Sequence, residues 1–198
     1  MNTPHTVINP AWMRLTHWLN AVAVIIMIAS GWRIYNASPI FGFHIPASLT
    51  MGGWLGGAIQ WHFAAMWLLV VNGLLYLLLN VLSGRFRRKL LPVSVAGFIA
   101  DSKAALTGHL THADISQYNM VQKVAYLAII VDLIVLVVSG LAIWKSVQFP
   151  LLRDLMTGYD NARVVHFFAM AFAVAFLVVH LVMVALVPRT LVAMVRGR

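Results

Sequence analysis

The stretch RVVHFFAMAFAVAFLVVHLVMVALV, residues 163–187, decides the fold of this chain. Beyond its first residue it carries no charge, and as a helix it is long enough to cross a hydrocarbon core of about 30 Å. His166 and His180 are 14 positions apart, so they face the same side of that helix and stand roughly 21 Å apart along its axis. One imidazole near each end of a span is the arrangement that two cofactors stacked across a membrane would need.

The composition of the chain indicates a polytopic membrane protein. Of its 198 residues, 62% are hydrophobic and 10% are charged, whereas a soluble domain is nearer half apolar and a quarter charged. Four apolar runs reach the roughly 20 residues that a span requires, and they lie near 12–32, 60–82, 121–144 and 164–187. No cleavable signal peptide is recognisable, so the first run is expected to be a retained helix. We therefore predict one all-α domain over 1–198, a four-transmembrane-helix bundle.

The residue types that are absent or rare exclude several kinds of site. The chain has no cysteine, which excludes disulfides, iron–sulfur ligation by cysteine and covalent attachment of a c-type haem. Its five acidic residues are all aspartates, too few for a carboxylate-rich metal site. The formal charge of +9 does not imply nucleic-acid binding, because basic residues in a membrane protein first report topology and contact with anionic lipid.

The distribution of basic residues predicts the orientation. Three segments carry most of them: Arg14 near the start, Arg85, Arg87, Arg88, Lys89 and Lys103 after the second run, and Arg189, Arg196 and Arg198 in the tail. The other two loops hold Arg33, Lys145, Arg153 and Arg163, partly offset by Asp154 and Asp160. By the positive-inside rule, both termini and the 83–120 loop face the cytoplasm. Within that loop, Ser94 is a candidate N-cap for an amphipathic surface helix over 92–106.

With this orientation, four histidines sort into two pairs at matching depths. His17 and His180 lie toward the cytoplasm, whereas His62 and His166 lie toward the outer side. Bis-histidine ligation of a low-spin haem needs two imidazoles at one depth. We therefore predict two non-covalent b-type haems, with the inner iron ligated by His17 and His180 and the outer iron by His62 and His166. Read singly, each histidine could instead be a hydrogen-bonded packing residue.

Small residues lie where two porphyrins would need room. Gly31 is at the depth of the outer pair, Gly73 at the depth of the inner pair, and Ala169 and Ala173 lie between the two histidines of the fourth helix. Glycine inside a helix costs about 1 kcal/mol relative to alanine, so a packing reason is expected. No internal repeat is visible. The other histidines are His5, His109 and His112, expected to be solvated on the cytoplasmic side, and His44, which could meet a haem propionate or a partner.

These residues resemble the bacterial di-haem cytochrome b family, the group of cytochrome b561 and nickel–iron hydrogenase cytochrome b. That group includes the membrane subunits of respiratory formate dehydrogenase and thiosulfate reductase. The similarity rests on Arg14-Leu15-Thr16-His17-Trp18, on His62, on the His166 and His180 pair, and on the segment YNMVQK at 118–123. It implies a bacterial inner-membrane protein that transfers electrons between the quinone pool and a periplasmic redox partner, which could be a molybdenum oxidoreductase, a hydrogenase or a small cytochrome.

The same resemblance implies a quinone, either ubiquinone or menaquinone, near the inner haem at the start of the third helix. It points to Asn119 and Gln122 as quinone contacts, with Lys123 and Tyr126 nearby. A quinone that is being reduced needs hydrogen-bond donors and a route for protons, which these residue types supply. The alternative is that 118–123 forms a polar cap at the membrane interface with a snorkelling lysine.

Two other functions stay open from the sequence. A stand-alone enzyme of the same fold could oxidise superoxide at the outer face and reduce quinone, with Arg33, Lys145, Arg153 and Arg163 attracting the anion. A haem-free anchor or transporter could use the histidines for protons or a metal, although charge pathways in transporters usually contain more buried acids than Asp132 alone. Asp132 itself could assist proton movement or hold two helices together.

Overall fold

The computed structural model describes residues 8–107 and 117–197, and within them every regular element is helical. Four helices are long and apolar enough to cross a membrane: α1 (Ala11–Ala37), α2 (Leu55–Leu82), α5 (Met120–Trp144) and α7 (Tyr159–Leu186). They coincide with the four predicted runs, so the all-α four-helix membrane bundle is confirmed. Residues 33–37, 55–59 and 159–163 extend three of these helices beyond the predicted spans. All three extensions lie at one end of the bundle.

Shorter helices connect the spans or follow them. They are α3 (Arg85–Leu90), α4 (Val95–Leu106), α6 (Pro150–Leu155) and α8 (Pro188–Arg196), and a 3-10 turn spans Ala47–Leu49. The predicted helix is present as α4, and its position on the membrane surface stays a prediction. Ser94 caps its N-terminus, since the Ser94 Oγ accepts the Gly97 N–H at 3.3 Å. The Asp101 carboxylate then accepts the Met120 N–H at 2.7 Å, which ties α4 to the start of α5.

The four spans form two helical hairpins, one of α1 with α2 and the other of α5 with α7. The helices within each hairpin pack closely, whereas the two hairpins approach each other less closely. Small side chains dominate the buried positions, because Ser30 and Ser139 are the largest side chains that are fully buried. Large apolar side chains such as Leu74 and Leu186 are exposed on the outer surface of the bundle. That surface is suited to lipid, and the interior leaves space between the hairpins.

A buried amide holds the first hairpin together. The Asn72 side chain on α2 donates from Nδ2 to the Thr16 carbonyl and to the Asn20 Oδ1 on α1, each at 2.7 Å. Such side-chain hydrogen bonds between helices contribute to association in a membrane, where apolar burial alone does not distinguish protein from lipid. The bond to the Thr16 carbonyl fixes α1 beside α2 one residue away from His17.

Both ends of the described chain meet at the same end of the bundle. The Ile8 N–H donates to the Gly197 carbonyl at 2.9 Å, and the Arg14 guanidinium donates to the Val195 carbonyl at 2.6 Å. Arg85 on α3 donates to the Ile8 carbonyl at 3.3 Å. We call this the terminal end, made of 8–10, 83–94 and 187–197, and the opposite end, made of 38–54 and 145–158, the loop end. The positive-inside prediction would place the terminal end in the cytoplasm.

Candidate functional site

The four histidines of the spans come together as the two predicted pairs. The imidazole centroids of His62 and His166 are 6.5 Å apart, with an angle of 65° between the ring planes. The centroids of His17 and His180 are 6.2 Å apart, with an angle of 60°. Each pair joins the first hairpin to the second. His62 and His166 lie toward the loop end and are called the loop-end pair; His17 and His180 are the terminal-end pair.

The spacing within each pair fits one metal ion held between two imidazoles. A bond from a histidine nitrogen to a metal is about 2.0 Å long. Each nitrogen lies about 1.15 Å from its ring centre, because the ring is a pentagon with bonds of about 1.35 Å. Two imidazoles on opposite sides of one metal therefore have centroids about 6.3 Å apart. The distances of 6.5 and 6.2 Å match this value, so the residues present fit the haem iron that the sequence predicts.

The surface of α7 between its two histidines is built from small residues. Ala169 and Ala173 are both buried, which agrees with their predicted position on the histidine face. Phe176 lies one turn before His180, and the two rings are parallel, with centroids 6.1 Å apart. This face therefore has small side chains near the middle of the helix and an aromatic ring next to the terminal-end pair.

Each histidine of the loop-end pair contacts a buried serine in its own hairpin. The Ser30 Oγ on α1 is 3.0 Å from the Nδ1 of His62. The Ser139 Oγ on α5 is 2.8 Å from the Nδ1 of His166. Both serines are completely buried. The same contact is thus made twice, once in each hairpin.

A glycine follows each of these serines and faces the same imidazole. A Cβ added at Gly31 would lie 3.4 Å from the Cε1 of His62, and one added at Gly140 would lie 3.4 Å from the Cε1 of His166. Gly31 is therefore at the predicted depth, but its neighbour is the imidazole. A Cβ at Gly73 would meet no heavy atom within 4 Å, so the space around it is open and its relation to the terminal-end pair stays a prediction.

Sequence reasoning missed this repeated arrangement. Ser30-Gly31 and Ser139-Gly140 are identical dipeptides near the loop end of the first helix of each hairpin, and each faces a histidine near the start of the second helix. The match between the two hairpins is confined to these dipeptides and to the histidine that each of them faces. A search for matching dipeptides would also return Ser83-Gly84, so the dipeptide alone does not identify the signal.

At the terminal end, the two predicted quinone contacts form a helix cap. The Asn119 Oδ1 accepts the Gln122 N–H at 2.8 Å, and the Gln122 Oε1 accepts the Asn119 N–H at 3.1 Å. This capping box uses both side-chain oxygens, and within the described residues neither side-chain amide nitrogen donates to the protein. The cap reading of Asn119 and Gln122 is thus correct. It leaves their amide N–H groups available, so contact with a quinone stays a prediction.

Tyrosines and a lysine surround this cap. The rings of Tyr118 and Tyr126 are in contact, with centroids 5.0 Å apart. Burial raises the pKa of the Tyr118 hydroxyl above its ordinary value, so the group stays protonated and can donate a hydrogen bond. The Lys123 ammonium reaches the Pro92 carbonyl at 3.4 Å. The predicted quinone region is therefore lined by hydrogen-bond donors.

Asp132 lies beside an apolar groove on α5. The groove has a volume of about 650 Å³, and Val93, Val131 and Phe172 are among the residues that line it. The Asp132 Oδ2 is buried and has no hydrogen-bond partner in the described part of the chain. Among the described residues Asp132 makes no hydrogen bond to another helix. Its role in proton movement stays a prediction.

The basic residues of the loop end are mostly engaged with the protein. Arg153 pairs with Asp154 at 2.9 Å, and the Lys145 ammonium lies 4.4 Å from the centre of the Trp144 ring. Arg163 donates to the carbonyl and the hydroxyl of Ser38. This arrangement adds no support to the superoxide alternative. His44 is exposed, whereas His5, His109 and His112 lie outside the described residues.

Aromatic side chains cluster at the loop end beside His166. Phe167 packs against Tyr35, Phe41 and Phe43, with centroid distances of 5.2, 5.1 and 6.2 Å. Phe41 and Phe43 are also exposed at the surface. None of these residues was predicted to be functional. They form an apolar surface at the loop end, which follows His166 directly in the chain through Phe167 and which we call the aromatic patch.

The comparison with known families decides the class of the protein. Residues 9–197 match the family described as prokaryotic cytochrome b561. The chain belongs to the prokaryotic cytochrome b561 family. The resemblance predicted from the histidines and the first helix is thus confirmed. Together with the four spans, membership makes the chain a multi-pass protein of the bacterial inner membrane that binds b-type haem and takes part in electron transport.

One relative resembles this cytochrome b561 over nearly its whole length. It is a protein of Azospira oryzae, provisionally named protein-methionine-sulfoxide reductase subunit YedZ1, and it is 61% identical over 190 residues. The aligned region covers 96% of each of the two chains. No solved structure matches the chain at a significant level.

Proposed function

We propose that this cytochrome b561 holds two b haems, one between His62 and His166 and the other between His17 and His180. The observation that carries the proposal is the spacing of both imidazole pairs, 6.5 and 6.2 Å between centroids. When bound, haem supplies one-electron redox chemistry that no side chain of this protein offers. In each pair the two imidazoles would hold one iron between them, so the haem would supply electron transfer there and not binding of oxygen or a substrate at the metal.

The proposed role is an electron relay across the membrane. The two pairs lie at opposite ends of α7, roughly 21 Å apart along the helix axis. One pair is close to the terminal end, where Asn119, Gln122 and Tyr118 offer hydrogen-bond donors. The other lies toward the loop end, where the aromatic patch is exposed. We propose that a quinol is oxidised at the terminal end and that a redox partner docks at the loop end.

The name of the Azospira oryzae relative suggests what that partner does. If this chain serves the same kind of system, its partner is a periplasmic subunit that reduces methionine sulfoxide in proteins. Reduction of one methionine sulfoxide takes two electrons and two protons and releases water. Oxidation of one quinol supplies two electrons, so the proposed direction of flow is from quinol at the terminal end to the partner at the loop end.

Reoxidation of the haem tests this direction. In membranes that contain the protein, a quinol should reduce the haem iron, and the absorption spectrum should become that of ferrous haem. Addition of a protein that contains methionine sulfoxide should then reoxidise it only when a soluble catalytic subunit of the methionine-sulfoxide reductase class is present. The same protein without sulfoxide is the control. If quinol does not reduce the haem, the proposal that quinol is the electron donor is contradicted. If the haem is reoxidised without the soluble subunit, the proposal that this subunit accepts the electrons is contradicted.

The quinone contact can be separated from the helix cap by changing Asn119. Serine is as good an N-cap residue as asparagine, but it lacks the amide nitrogen. We expect Asn119→Ser to leave the thermal unfolding midpoint unchanged and to raise the KM for quinol about fivefold, the equivalent of one lost neutral hydrogen bond of about 1 kcal/mol. As a control, Asn119→Ala should lower the free energy of unfolding by about 1 kcal/mol. An unchanged KM in Asn119→Ser would leave Asn119 as a cap only.

A further inference from the structure

We infer that Ser30 and Ser139 are positioning residues that set the midpoint potential of the loop-end haem alone. The inference rests on the proposed function, because it assumes an iron between His62 and His166. It concerns which nitrogen of each imidazole faces the iron and how strongly that nitrogen donates to it. The two serines act through the histidines and do not touch the iron.

The hydrogen-bond geometry of Ser30 fixes the protonation of His62. The Ser30 Oγ is 2.6 Å from the Ile26 carbonyl oxygen, and two oxygens approach so closely only when a hydrogen lies between them. A serine hydroxyl has a single hydrogen, so toward His62 at 3.0 Å it can only accept. The proton must then sit on the Nδ1 of His62, which leaves the Nε2 lone pair free for a metal.

Ser139 makes the same chain of bonds in the second hairpin. Its Oγ is 2.7 Å from the Val135 carbonyl oxygen and 2.8 Å from the Nδ1 of His166. The single hydroxyl hydrogen is again used by the backbone, so His166 also carries its proton on Nδ1. Two independent hairpins therefore orient their imidazoles by the same device. A fixed orientation and tautomer of this kind are what a metal-binding histidine requires from its surroundings.

Glycine leaves clearance between the ring and the first helix of each hairpin. The Cβ of any other residue at Gly31 would be 3.4 Å from the Cε1 of His62, and the same distance applies at Gly140 to His166. The Cε1 edge of the imidazole thus faces the glycine while its Nδ1 reaches the adjacent serine. Ser30-Gly31 and Ser139-Gly140 therefore act as two-residue units. The serine accepts the hydrogen bond from the imidazole, and the glycine leaves space for the edge of the ring.

The terminal-end pair lacks this support. Across 8–107 and 117–197, neither His17 nor His180 makes a hydrogen bond from its ring to the protein. Their neighbours are aromatic: Trp18 lies against His17 edge-on, and Phe176 is parallel to His180. The two haems should consequently differ, since only one has ligands whose Nδ1–H groups both donate to protein acceptors.

The direction of the effect follows from the basicity of the ligand. Donation of the Nδ1–H to an acceptor makes the opposite nitrogen a stronger electron donor to the metal. A stronger donor favours ferric over ferrous iron and lowers the midpoint potential. Removal of either serine hydroxyl should therefore raise the potential of the loop-end haem and leave the terminal-end haem unchanged.

The test is a potentiometric titration of the haem-loaded, full-length protein with Ser30→Ala, Ser139→Ala and the double variant. Thr16→Val is a matched control, because Thr16 is also buried in α1 and also donates its hydroxyl to backbone carbonyls at 2.9 and 3.1 Å. It has no hydrogen bond to a histidine in the described residues. We expect one of two midpoint potentials to rise in each serine variant, and to rise further in the double variant. The loop-end midpoint should stay fixed in Thr16→Val.

A second measurement keeps the inference testable if a serine variant fails to fold. Redox-difference infrared spectra of the wild type with isotope-labelled histidine report hydrogen bonding at Nδ1 for each haem. Stronger bonding at the loop-end haem is expected. If the wild type holds two haems but the serine variants keep its midpoint potentials, the inference alone is overturned. The same holds if the infrared spectra show no difference in hydrogen bonding between the histidines of the two haems. Wild-type protein without haem would overturn the proposed function itself.

Discussion

His166→Ala should leave purified protein with one b haem per chain where the wild type has two, as measured by the pyridine haemochrome assay. The imidazole of His166 faces that of His62 at 6.5 Å between centroids, and no other histidine of the described chain lies at that depth to replace it. The single imidazole of His62 would hold the haem far more weakly than the pair. His180→Ala should remove the other haem, because His180 faces His17 at 6.2 Å.

The controls for this experiment come from the same chain. His44→Ala changes an exposed histidine at the loop end that belongs to neither pair, and it should keep both haems. The visible spectrum and the titration should show that His166→Ala and His180→Ala lose different haems. If both variants retained two haems with wild-type spectra, the ligand assignment would fail. If the wild type held a single haem, the assignment of one haem to each histidine pair would be wrong, even though the imidazoles in both pairs are correctly spaced.

A graded series at Gly31 and Gly140 should produce the second large effect. Alanine adds only a Cβ, which would lie 3.4 Å from the imidazole, an ordinary contact, and it improves helix propensity by about 1 kcal/mol. Valine adds two methyl groups to that Cβ and cannot fit without displacing the ring. We expect the alanine variants to keep two haems and the valine variants to lose most of the loop-end haem, measured as haem per protein.

Gly42→Val is the matched control for that series. A Cβ at Gly42 would meet no heavy atom within 4 Å, so this variant should keep both haems. Retention of full haem content and wild-type potentials in both valine variants would contradict the close approach of the histidines to the first helix of each hairpin. Loss of both haems together would instead indicate that the substitutions unfold the bundle.

The bundle and the depth of each histidine could be predicted from the sequence. An apolar run of about 20 residues has few alternatives to a membrane helix, and the rise of 1.5 Å per residue fixes how deep each side chain lies. These two facts were enough to pair His62 with His166 and His17 with His180. The helix cap was equally local, since Asn119 and Gln122 are three positions apart and their hydrogen bonds depend on one turn of backbone.

The contacts to the pairs could not be predicted in this way. Ser30 and His62 are separated by 32 positions, and Ser139 and His166 by 27. Whether a serine on one helix meets a histidine on another depends on how each helix is rotated about its axis, and a uniformly apolar surface carries no periodic signal for that rotation. For the same reason, the glycines could be assigned a depth but not a neighbour.

The sequence by itself therefore determined the number of spans, the depth of the histidines and their division into pairs, because all three depend on length and position along single helices. Only the tertiary structure decided that the imidazole centroids of each pair are separated by a distance that fits one metal ion between them. It also decided that the loop-end pair is held by two Ser-Gly units, whereas the terminal-end pair lies among aromatic rings. These features depend on the rotation and separation of helices that pack across the bundle, which local chemistry does not specify.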